Sequence, residues 1–154
     1  MTLINKTDRI FIAGSKGMVG SSIVRYLEKN GYNNILKSDR SHLNLLDYKA
    51  TQKWFEKENP QIVIIAAAKV GGIFANNNYP ADFLLENIKI QTNLMEISYK
   101  SNVKRLLFLG SSCIYPKFAI QPISEEQLLE GALEKTNECY AIAKISGIKL
   151  AEAY

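Results

Sequence analysis

Residues 9–20 read RIFIAGSKGMVG, a short apolar run that ends in three glycines spaced G14-x-x-G17-x-x-G20. After a strand and before a helix, this spacing has a mechanical meaning. The first glycine permits a tight turn, the second lets backbone N–H groups approach a pyrophosphate, and the third lets helix and strand pack closely. The helix that follows points a partial positive charge at the phosphates. Its apolar positions Val19, Ile23, Val24 and Leu27 fall on one face, and Asn30-Gly31 closes it.

Outward from this loop the chain alternates strand-like and helix-like stretches. NILKSD (34–39) reads as a second strand, and Asp47 is placed to cap the helix YKATQKWFEKEN, which stops at Pro60. QIVIIAAA (61–68) is rich in β-branched residues with no polar alternation, as a strand buried on both faces requires. VGGIFANNNYP (70–80) reads as a Gly- and Asn-rich loop. A long amphipathic helix is expected from Ala81 to about Lys100, then a further buried strand, RLLFLGSS (105–112). Residues 116–137 look loop-like with a short helical piece, and 138–154 helical. This order predicts an α/β fold, a doubly wound parallel sheet with right-handed crossovers. The last helix runs to the end at KLAEAY without cap, glycine or polar tail, as expected of a chain cut inside or just after an element.

Composition narrows the function. The 154 residues suffice for one domain with a real core. The net charge of +4 comes from scattered lysines rather than a basic run, which argues against nucleic acid. No apolar run reaches the roughly 20 residues of a membrane span, and the N-terminus MTLINKTDRI does not resemble a signal peptide, so a cytoplasmic protein is expected. Two cysteines and one histidine argue against a disulfide framework or a zinc site.

About 20 residues past the glycine loop, a carboxylate would grip a ribose 2′-hydroxyl and an arginine a 2′-phosphate. The chain has both, as Asp39-Arg40. With Lys16 as a second cation the balance favours NADP, and Asp39 can also be read as a strand-end turn residue. Farther on, Y140-A-I-A-K144 puts a phenol and an ammonium one turn apart on the final helix. Tyrosine ordinarily ionises near pH ~10, and the lysine at this spacing together with a cationic nicotinamide ring is expected to favour the phenolate. Tyr140 would then protonate a carbonyl oxygen as hydride arrives, with Lys144 holding the cofactor ribose. Ser111 and Ser112 close a strand at the end where open α/β sheets bind ligands, so one of their hydroxyls can reach the same carbonyl oxygen.

GxxGxxG, strand-end serines and YxxxK resemble the extended short-chain dehydrogenases/reductases. FIAGSKGMVGS (11–21), LNLLD (43–47), AAAKVGGIFANNNYPADF (66–83), LLFLGSSCIYPK (106–117) and TNECYAIAKISGIKL (136–150) resemble a particular branch. Its members convert GDP-4-keto-6-deoxy-D-mannose to GDP-L-fucose by epimerising C3 and C5 and reducing C4 with NADPH. The resemblance covers essentially the whole chain. It implies that Cys113, a position where related dehydratases tend to carry a carboxylate, is an acid–base partner in epimerisation. A thiol with an ordinary pKa of ~8.5 suits reversible proton transfer. It implies that Ser111 orients the keto oxygen and that Tyr140 with Lys144 completes the reduction. It assigns cofactor contacts to Gly14, Ser15, Lys16, Gly17, Met18, Val19 and Gly20, to Arg40, Ser41, His42, Leu43, Asn44 and Leu45, to Leu109, Gly110, Ser111 and Ser112, and to Lys144. It implies NADP(H) as cofactor, no metal, and a homodimer through helices 81–100 and 138–154. A second epimerisation histidine and a GDP-binding substrate domain are expected beyond the chain, which makes 1–154 an incomplete NAD(P)-binding Rossmann domain. A nucleotide-binding module without turnover, or another nucleotide-sugar epimerase or dehydratase, are the alternatives. Cys139 is expected to be packing.

Overall fold

The computed structural model describes residues 4–154. Four parallel strands form one sheet in the order β2-β1-β3-β4, with β1 Ile10–Ala13, β2 Ile35–Lys37, β3 Ile62–Ile65 and β4 Arg105–Phe108. The helices are α1 Met18–Lys29, α2 Tyr48–Glu58, α3 Ile73–Asn78, α4 Pro80–Lys100 and α5 Glu138–Ala153. Three single-turn 3-10 segments lie at Ser112–Ile114, Glu125–Gln127 and Lys135–Asn137.

β1 explains why the sheet is covered on both faces. Every residue of β1 and β3 is buried. Ile10 and Ile12 pack with Val24 and Leu27 of α1 and with Ile62 and Ile64 of β3. Phe11, pointing the other way because strand side chains alternate, meets Trp54 and Phe55 of α2 at ring-centroid distances of 4.3 and 5.8 Å. Asp47 caps α2 by accepting from the Ala50 N–H at 3.0 Å, as its position before the helix predicted. Asn30 and Gly31, the latter at φ +79°, close α1.

Three expectations change. Val19 is 46% exposed and does not join the buried face of α1, which consists of Gly20, Val24 and Leu27. β4 is only partly buried in these 154 residues: Arg105 and Leu107 are exposed, and among the described residues the strand pairs only with β3. The Gly/Asn-rich stretch is not all loop, since Ile73–Asn78 forms α3, where the Asn76 amide donates to the carbonyls of Gly71 and Gly72.

The chain folds as two compact units. One comprises residues up to Ala68, Lys89–Leu109 and Tyr154, and carries the sheet; the other comprises Lys69–Ile88 and Gly110–Ala153.

Candidate active site

In the sheet-bearing unit the three glycines are fixed by lack of space. Gly14 leaves β1 at φ +85°, and a Cβ on it would lie 2.7 Å from the backbone nitrogen of Ala67. A Cβ on Gly20 would lie 2.1 Å from the carbonyl oxygen of Gly14, so helix and strand touch backbone to backbone there. Gly17 is the N-cap of α1; its N–H donates to Gly14 O at 2.9 Å, and no side chain caps the helix. The first-turn N–H groups of α1 are therefore directed at whatever occupies the loop mouth. Of the other loop residues Ser15 is buried, while Lys16, Met18 and Val19 are exposed. This cradle fits the diphosphate of a dinucleotide.

The strand end after β2 differs from expectation. Lys16 is not an independent second cation: its ammonium pairs with Asp39 Oδ2 at 2.5 Å. Asp39 Oδ1 accepts from Ser41 Oγ at 2.5 Å, His42 Nδ1 at 2.7 Å, and the backbone N–H groups of Ser41 and His42. These donors, Lys16 foremost, then Ser41 and His42, hold the Asp39 carboxyl far below the usual carboxylate range. Arg40 is exposed beside it. Leu43 is core, its N–H bonded to Asp39 O at 2.8 Å; Asn44 Oδ1 accepts from Leu46 N; and Leu45 O accepts from Asn93. Leu43, Asn44 and Leu45 thus build the turn. Leu109 ends this unit.

The second unit gathers the catalytic candidates. Beyond Gly110, Ser111 begins a single helical turn, and its Oγ accepts from the Cys113 Sγ–H at 3.2 Å and from the Cys113 N–H. A hydrogen bond also joins Ser111 to Tyr140 of α5. Cys113 is half-buried, facing this hydroxyl, while Ser112 is exposed. Lys144, one turn on from Tyr140, is 4% exposed and its Nζ lies 5.8 Å from the Tyr140 ring centre. Cys139 is also half-buried.

One electrostatic expectation is corrected. Tyr140 is not made acidic by Lys144: burial pushes its pKa up, an ionised Cys113 pushes it further, and only the Ser111 hydrogen bond works the other way. Burial also lowers Lys144 to about 8, against a smaller upward pull from Cys113. Burial is the largest influence on both groups.

Two groups in this unit are not legible in the sequence, one against Tyr140 and one at Lys69. Phe83 sits edge-on to its ring, with centroids 6.4 Å apart at 82°. Buried Asn87 clamps the Lys69 backbone, accepting from its N–H at 2.8 Å and donating to its carbonyl at 3.0 Å, and Lys69 Nζ pairs with Glu86 at 2.7 Å. The available signal was a set of polar residues, Asn87, Gln91 and Ser98, at the buried positions of a long helix. Among the described residues there is no cluster of three metal-ligating side chains, and no helix is long and apolar enough to cross a membrane.

A glycine cradle where a parallel sheet first crosses over defines a Rossmann-type dinucleotide-binding fold. The NAD dependent epimerase/dehydratase family matches residues 10–154, and the chain belongs to that family. It is 56% identical over 146 residues to GDP-L-fucose synthase of Escherichia coli K12, covering 95% of this chain and 46% of that protein. It is 54% identical over 153 residues to GDP-L-fucose synthase 1 of Arabidopsis thaliana, covering 99% and 47%. Among solved structures it is similar to MlghC, a GDP-mannoheptose C4 reductase from Campylobacter jejuni with NADP bound. The TM-score there is 0.95 at 38% identity, covering 98% of this chain and 48% of that one. The chain spans about half the length of the curated relatives it matches.

Proposed function

We propose that this chain is the nucleotide-binding and catalytic part of an NADPH-dependent enzyme that converts GDP-4-keto-6-deoxy-D-mannose to GDP-L-fucose. The observation that carries the reading is the Cys113–Ser111–Tyr140 hydrogen-bonded series with Lys144 beside it, in a chain of this family. The glycine cradle and Arg40 would hold NADP(H), which supplies hydride to C4 of the sugar. The kinship to an NADP-bound reductase supports that choice.

The chemistry follows from the protonation states. A 4-keto group acidifies the hydrogens on C3 and C5, and Cys113 is the group we assign to take or return one of those protons. Ser111 donates to the keto oxygen and so stabilises the enolate that forms. Because burial raises the pKa of Tyr140, the phenol keeps its proton during epimerisation. Tyr140 then delivers that proton to the C4 oxygen during reduction. Buried Lys144, one helical turn from Tyr140, is the group we assign to hold the cofactor ribose.

We assign the second epimerisation group and the GDP-binding residues to parts of the protein outside these 154 residues. Exposed Tyr99 and Leu85 of α4, and Ile142 of α5, support pairing of two copies through these helices, which light scattering of the full-length protein tests. Both cysteines are free thiols, which supports a reducing, cytoplasmic setting.

The decisive experiment incubates the full-length protein with GDP-4-keto-6-deoxy-D-mannose and NADPH in deuterated water. Deuterium at C3 and C5 together with NADPH oxidation is expected. NADPH binding with neither event would leave only a nucleotide-holding module.

A further inference from the structure

Asp39 stands at the strand end where the adenosine ribose of a dinucleotide lies in folds of this type. An acidic residue there ordinarily selects the unphosphorylated cofactor by accepting the ribose hydroxyls. In this chain both carboxylate oxygens are already occupied. Oδ2 holds the Lys16 ammonium at 2.5 Å, and Oδ1 holds Ser41 Oγ, His42 Nδ1 and two backbone N–H groups. A carboxylate offers about four lone-pair positions, and five donors already share them. A ribose hydroxyl could bind only by displacing a charge-assisted partner. The donors around Asp39 belong to loop residue 16 and turn residues 41–42, which flank exposed Arg40.

We infer that Asp39 is a positioning residue for 2′-phosphate recognition: it ties the Lys16 ammonium and the 41–42 turn together beside Arg40, and does not itself contact the ribose. This rests on the dinucleotide reading of the glycine loop. It inverts the role that an acidic residue in this place would have in an NAD-selective fold.

The test is binding rather than turnover, by fluorescence titration of NADPH and NADH into the full-length protein. Asp39→Ala should weaken NADPH by about tenfold, the loss of a charged hydrogen bond, and leave NADH within about twofold. Lys16→Ala should weaken NADPH similarly, and the double variant should be no worse than the weaker single one, because the two act as a unit. Asp39→Asn keeps an oxygen for the 41–42 turn but loses the attraction for Lys16. It should fall between wild type and Asp39→Ala, and it decides the matter if the alanine variant misfolds. Unchanged or tighter NADPH binding in Asp39→Ala, or a loss confined to NADH, overturns the inference while leaving the dinucleotide site standing. Failure of the wild-type protein to bind either nucleotide would instead remove the reading of the glycine loop.

Discussion

At Gly20 a methyl group would lie 2.1 Å from the Gly14 carbonyl oxygen, whereas at Tyr140 the constraint is charge: its proton is held by burial and by the state of Cys113. The glycine turn of the first unit is constrained by backbone shape, and the surroundings of Tyr140 in the second by burial and neighbouring side chains. Shape is a property of each residue type and tolerates almost no substitution. Charge is a property of the group of residues, so altering one member changes its neighbours without disturbing the fold.

Four experiments can break or sharpen that contrast, all in the full-length protein. Tyr140→Phe should lower C4 reduction by about 10³-fold, the usual worth of a general acid. Deuterium exchange at C3 and C5 should continue. Equal loss of both activities would mean that the second unit behaves as a rigid block. Gly20→Ala should cost about 3 kcal/mol in unfolding free energy and abolish NADPH binding, because backbone has to move. A fully stable, NADPH-binding alanine variant would remove the argument from shape. Cys113→Ser should slow exchange at C3 and C5 by about 10²-fold at unchanged thermal stability; unchanged exchange would return Cys113 to the packing residues.

The smallest effect is a pH dependence. Lys144 has a folded pKa of about 8, below its ordinary 10.5. The unfolded chain therefore binds more protons between those values, and stability rises with pH across that window. The gain should approach about 2 kcal/mol before tyrosine ionisation intervenes, and Lys144→Met should flatten it in chemical denaturation curves. A flat wild-type profile would show that Lys144 is better solvated than its 4% exposure implies.

The same contrast explains what was legible in the chain. β1, the glycine loop, the Asp47 cap and the helices beginning near residues 81 and 138 follow from local rules of periodicity, capping and turn chemistry. α3 did not, because Ile73–Asn78 ends in three asparagines of low helix propensity and is tied down by Asn76 and by packing on Lys135–Asn137. The exposure of β4 depends on which strands flank it, which no window of sequence contains. Ser111, Cys113, Tyr140 and Lys144 are the site residues the chain suggests, and the Sγ–Oγ contact joins two of them. The direction of the Tyr140 shift could not, since burial decides it. Lys16 likewise counted as a cation until Asp39 proved to be its partner.

The crowding at Gly14 and Gly20 has a practical side for anyone retargeting this scaffold to a different coenzyme. Saturation libraries across the loop would return mostly misfolded clones at those two codons. The exposed residues Lys16, Arg40, Ser41 and His42 leave room for new side chains, so engineering effort belongs there.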